Sequence, residues 1–148
     1  MSDKVDRAVD YFENGYCCSQ AVLAAYSPDL GLDRETAVKV ASGFAGGMGR
    51  MSGPCGALTG AFMVFGLKYG SADAEDKALT CQHVRDASAK FKARNGSISC
   101  AELLGFDMTT EEGALTAKKP GSFDLCSKLV KDAAEIVEEI IGTSAMTN

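Results

Sequence analysis

Four cysteines, Cys18, Cys55, Cys100 and Cys126, stand where thiol chemistry is favoured. Cys55 follows a glycine-dense run over residues 43–53 and Pro54, and an apolar segment starts beside it. Ser52 or Gly53 suits an N-cap, and Pro54 suits the first helical position, where its missing N–H would be unpaired anyway; this sets Cys55 in the first turn. Free N–H groups and the positive end of the helix dipole stabilise a thiolate there, so Cys55 is expected to have a lowered pKa. Cys18 shares a helix face with Ala21, Val22 and Ala25, and Cys100 with Leu103 and Leu104. Cys126 falls about one turn into the last helix, on the face of Leu129 and Val130. Each of the four is near a helix start and on its apolar side, so the thiols can converge. Converging thiolates are what iron–sulfur clusters, zinc and thiol–disulfide exchange require.

The Cys-x-x-Cys spacings of structural zinc sites and of thioredoxin-like enzymes are missing. Three readings remain. In the first, Cys18, Cys55, Cys100 and Cys126 ligate an iron–sulfur cluster in an electron-transfer module that serves a redox partner protein. In the second, the chain is a metal-free thiol–disulfide oxidoreductase, Cys55 attacking and another cysteine resolving. In the third, the cysteines only pack inside a helical interaction domain.

Other candidates are weaker. Cys17 must face away from Cys18 on the same helix, towards the rim, as an incidental or resolving thiol. Cys81 is expected to pack in the core, and His83, the sole histidine, to be solvated. The Cys81-x-His83 pair lacks the second cysteine that a peroxidatic motif needs. Arg50, in the glycine loop, can hold an anion or stabilise a thiolate, although a surface salt bridge is the plainer expectation. Phe44, Met48 and Met51 are expected to pack the loop. Gly47-Met48-Gly49 follows a helix instead of a strand and precedes no Gly-Lys-Ser/Thr, which argues against a nucleotide loop.

The elements that must position these thiols are helices. Val5, Ala8, Val9 and Phe12 recur at helical spacing up to Asn14-Gly15, and a second helix carries Cys18 to Tyr26 and closes at Pro28. Asp33 caps a helix over residues 34–42. Leu58, Phe62, Phe65 and Tyr69 mark a helix apolar on most sides, expected to be the central one. A longer polar helix runs to Asn95, with Ala74, Ala78, Cys81, Val84, Ala87 and Phe91 as its inner stripe. Ser97 or Ser99 caps a short turn over residues 100–104, residues 107–120 form a polar connection, and Ser122 caps the last helix. No β-alternation or repeat appears, so the fold class is all-α: one domain over residues 1–148, a bundle of five to six helices with the glycine-rich loop before the central helix.

Composition narrows the partners. At 148 residues and 46% hydrophobic the chain can bury one adequate core. A net charge of −5 and a pI near 4.9 argue against nucleic acid or an anionic membrane surface as a partner. The first residues lack a signal-peptide pattern and no stretch has the length of a membrane span, so a cytoplasmic location is expected, where six cysteines do not form a permanent disulfide framework. A homodimer through the exposed loop is also expected to be feasible.

Assembled, these residues resemble the C_GCAxxG_C_C family, named for its cysteine pattern. The matching elements are Asn14-Gly15-Tyr16-Cys17-Cys18-Ser19-Gln20-Ala21-Val22, Gly47-Met48-Gly49 with Cys55-Gly56-Ala57-Leu58-Thr59-Gly60, Cys100-Ala101-Glu102-Leu103-Leu104-Gly105, and Cys126-Ser127-Lys128-Leu129-Val130. Cys17 and Cys81 depart from the family pattern without removing a family cysteine. The resemblance implies an all-helical domain whose four cysteines are redox-active or hold an iron–sulfur centre. Covalent haem is not expected, because Cys-x-x-Cys-His is lacking.

Overall fold

The computed structural model describes the backbone of residues 3–147 and side chains as far as residue 142. All regular structure among these residues is helical: α1 (Asp3–Glu13), α2 (Cys18–Tyr26), α3 (Arg34–Ala41), α4 (Gly56–Tyr69), α5 (Ala74–Asn95), α6 (Cys100–Leu104), α7 (Glu111–Ala117) and α8 (Cys126–Thr147), with 3₁₀ turns at Ser27–Leu30 and Ser42–Phe44. The all-α expectation holds, but eight helices replace the five to six expected. The surplus includes α7, inside the segment expected to be a mere connection. Its Thr110 side chain accepts the Gly113 N–H at 2.9 Å, and its only buried residue is the glycine, so no apolar stripe announced it. No helix is long and apolar enough to cross a membrane among the described residues.

α4 is the central helix as expected: Ala57, Leu58, Ala61, Val64 and Phe65 are buried, and it packs on α2, α5 and α8. α2 is small-residue rich and buried from Ala21 to Tyr26. Gly56 and Gly60 of α4 face it. A Cβ on Gly60 would come within 2.9 Å of the Ser19 carbonyl oxygen and 3.0 Å of Val22 Cβ, so the backbones approach where a larger residue would hold them apart. Across the other side, Tyr26 Oη donates to the Ala134 carbonyl of α8 at 3.1 Å. α8 presents Leu129, Val130, Ala133, Val137 and Ile140 to the core, the face its spacing predicts.

α5 departs from expectation. Ala87 and Phe91 are buried and Val84 half-buried, but Ala74, Ala78 and Cys81 are exposed. At 100° per residue Cys81 lies about 80° from Phe91, off the inner face, and Ala74 and Ala78 lie farther still. His83 turns inward instead of being solvated: its ring is 4.6 Å from Tyr69 and 5.8 Å from Phe65.

Candidate functional site

The four cysteines begin four helices. Cys18, Cys100 and Cys126 are the first residues of α2, α6 and α8, and Cys55 is the residue that caps α4. Two placements differ from expectation. Cys126 opens α8 rather than lying a turn inside it. Cys55 precedes its helix because Pro54 is taken by an isolated antiparallel bridge to Ser99 and not by the first helical position.

That bridge joins two cysteines. Cys55 N–H donates to the Ile98 carbonyl at 2.8 Å and Cys100 N–H to the Gly53 carbonyl at 2.7 Å. The starts of α4 and α6 are thereby tied together, and Ser99, whose Oγ accepts the Glu102 N–H, turns the chain into α6. Cys18 is fixed from the other side. Gln20 Oε1 accepts the Cys17 N–H at 3.0 Å, while Gln20 Nε2 and Ser19 Oγ donate to the α3 carbonyls of Val38 and Ala41 at 3.1 and 2.9 Å. The Cys18 sulfur then lies on Gly56, beside Cys55. Ser19, Gln20 and Gly56 are positioning residues that cysteine spacing alone did not single out. Gln20 three residues after the cap Cys17 was the available signal.

Cys55 and Cys100 are buried, 4% and 7% exposed, and Cys18 and Cys126 are half-buried. Every pairing of the four thiols interacts: Cys55 and Cys100 act on Cys18, Cys100 and Cys126 act on Cys55, and Cys18 and Cys100 act on Cys126. The expected lowering of the Cys55 pKa is not observed. Burial, against which the N–H groups of Ala57 and Leu58 pull weakly, pushes it up to about 12, with the thiols of Cys100 and Cys126 adding to the rise. Burial first and neighbouring thiols second likewise push Cys18 and Cys126 up to about 12, and burial raises Cys100. With no counter-charge, the cluster is a set of protonated thiols.

All six cysteines are free. Among the described residues no three His, Cys, Asp or Glu side chains are grouped to hold a single metal ion. Cys17, half-buried at the rim, has its sulfur 3.3 Å from Ser19 Oγ and lies within electrostatic reach of Cys18. Cys81 is exposed and takes no part. Arg50 does not form the expected salt bridge with any described carboxylate, and Met51, 64% exposed, does not pack the loop.

A family model described as "Putative redox-active protein (C_GCAxxG_C_C)" matches residues 16–140 and so takes in all four of these cysteines. No curated protein and no solved structure matches the chain.

Proposed function

From the chain's place in the C_GCAxxG_C_C family, to which it belongs, we propose that this redox-active protein is an electron-transfer module whose Cys18, Cys55, Cys100 and Cys126 hold an iron–sulfur cluster and which serves a redox partner protein. The observation that carries this reading is the placement of four thiols at four helix starts with each pair within electrostatic reach. The donor set fits the group in kind. Four thiolates are the usual ligand complement of such clusters, and helix starts offer main-chain N–H groups that hydrogen-bond to sulfur and tune a cluster's potential.

The raised thiol pKa values weigh against the metal-free dithiol reading. A nucleophilic cysteine works as its thiolate, and a site that drives thiols up to about 12 supplies few thiolates near neutral pH. A coordinated metal reverses that balance, since a ligating thiol is deprotonated outright. When bound, the cluster supplies a one-electron couple. The chain's own residues hold the four sulfurs, exclude water around Cys55 and Cys100, and leave Cys18 and Cys126 nearer the surface, where a partner gains access.

The test is anaerobic purification followed by an absorption spectrum, iron and sulfide analysis and thiol titration on one sample. Brown protein with stoichiometric iron and four protected thiols is the expected result, lost in Cys55→Ser and Cys126→Ser and kept in Cys81→Ser. Colourless protein that resists reconstitution yet forms defined disulfides under graded oxidation would replace the cluster with dithiol chemistry. Inert, buried thiols in that sample would leave only packing.

A further inference from the structure

Between the glycine loop and the segment around α7 lies a half-open pocket of about 180 Å³ lined by Arg50, Met108, Ala114, Ala117, Lys118 and Phe123, of which Met108 and Ala117 are half-buried and the rest are exposed. Its floor and walls are apolar and its two polar groups are both cations. Among the described residues no carboxylate pairs with either one. Asp107 Oδ1 accepts the Thr109 N–H and hydroxyl at 2.8 and 2.6 Å, the Asp124 carboxylate folds over Gly121, and Glu111 and Glu112 stand in the first turn of α7, at the opposite end of the helix from Lys118.

The wall carrying Arg50 is built at a conformational cost. Arg50 has φ +60°, in the left-handed region, and its N–H is tied to the Ala45 carbonyl at 3.0 Å. Such a conformation is strained for a residue with a side chain, and strain of this kind concentrates at ligand clamps. Gly46 makes the space. A Cβ there would stand 2.9 Å from Arg50 Cγ and 3.1 Å from Met108 Cε, so only glycine lets the arginine stem and the methionine methyl lie together over it. On the opposite side Lys118 caps the C-terminal end of α7, and Phe123 is held edge-on by Phe106 with centroids 6.0 Å apart.

We propose that this cavity binds a small organic anion, a carboxylate on a short hydrocarbon body. Arg50 and Lys118 hold the carboxylate, and the body lies against Met108, Ala114, Ala117 and Phe123. The size class follows from the volume, which is below the roughly 300–1,000 Å³ of a site for a drug-sized molecule. The charge class follows from two cations with no acid between them, and the apolar lining favours a hydrocarbon chain over an inorganic anion. This site is independent of what the cysteines hold.

The experiment is calorimetric titration of the full chain, before and after iron reconstitution, with butanoate, its neutral counterpart butanamide, and sulfate. Amide chemical shifts are followed in the metal-free protein. Saturable butanoate binding is expected in both preparations, shifting amides over residues 46–50 and 108–123, with butanamide and sulfate at least tenfold weaker. Lys118→Gln and Arg50→Gln should each weaken butanoate about tenfold. Ala114→Leu, which fills the cavity without touching a charge, should abolish it while the helical spectrum is unchanged. Equal binding of sulfate, or butanoate binding that survives Ala114→Leu, would reduce the site to surface charge and overturn the proposal. So would the absence of any saturable response, whatever the iron content.

Discussion

The Cys18 sulfur lies on the bare Cα of Gly56: a methyl group built there would stand 2.5 Å from Sγ and 3.1 Å from the Phe44 carbonyl oxygen. The glycine after Cys55 is thus what allows the first cysteine to reach the second. Gly56→Ala is expected to cost about 1–3 kcal/mol through overpacking and to displace Cys18, lowering iron retention. Gly66→Ala, on the same helix but with nothing within 4 Å of the new methyl, should instead add about 0.5–1 kcal/mol. Chemical denaturation of both variants checks the contrast; equal effects would mean that Gly56 is not a contact point.

The loop before Cys55 predicts a second contrast. Gly46, Gly47, Met48, Gly49 and Arg50 are all left-handed in succession, with φ from 60° to 74°. Met48 is partly exposed, so Met48→Gly relieves backbone strain while removing little packing. A gain of up to about 1 kcal/mol is expected after the entropy cost of glycine. Gly47→Ala should cost about 3 kcal/mol or more, because its methyl would run into the Gly53 main chain. Thermal melts of the two variants should move in opposite directions.

α1 and α8, each with one apolar stripe, and α2 and α4, apolar on most sides, were legible in the sequence, as were the four cysteines near helix starts. What was not legible is tertiary. The bridge of Pro54 with Ser99 pairs residues 45 positions apart, and nothing local to Pro54 distinguishes a bridge residue from the first residue of a helix. α7 was hidden because only its glycine is buried. The rise of the Cys55 pKa is hidden from the sequence for a related reason: a helix start is visible locally and favours the thiolate, whereas the burial that outweighs it is created by segments distant in the chain. His83 shows the same limit, since its inward turn depends on where Tyr69 and Phe65 arrive.

α5 and α8 are clasped by Arg94, which donates to Asp132, Glu135 and Glu139 at 3.2, 2.8 and 2.9 Å, while Lys128 reaches Asp132 at 2.7 Å. Asp132 is 7% exposed. Its desolvation, which alone would raise the pKa, is outweighed by hydrogen bonds from Lys128, Asn95 and Arg94, and the carboxyl titrates below its usual 3.8. Asp132→Asn is therefore expected to cost about 1–2 kcal/mol and the more exposed Glu139→Gln less than about 0.5 kcal/mol. A depressed folded pKa contributes stability above pH 3.8 that is lost as pH falls through the folded value. The gap between the native chain and Asp132→Asn should accordingly close in acid, which denaturation at pH 7 and at pH 2 would show.

The thiols predict the opposite pH dependence. Cys18, Cys55 and Cys126 are raised from 9.0 to about 12 in the folded chain. Above pH 9 the unfolded chain gives up these protons while the folded chain keeps them, so stability falls with rising pH. Their contribution is complete below about pH 9 and is lost progressively as pH climbs towards 12. Metal-free protein should therefore lose melting temperature over pH 8–10.5 more steeply than a variant with Cys18, Cys55 and Cys126 replaced by alanine, a comparison in which lysine and tyrosine titration cancels. Iron-loaded protein should show the flatter profile as well, because ligated thiolates have no proton to lose. Parallel slopes in metal-free protein and the alanine variant would mean that these three thiols are not enclosed as the structure has them.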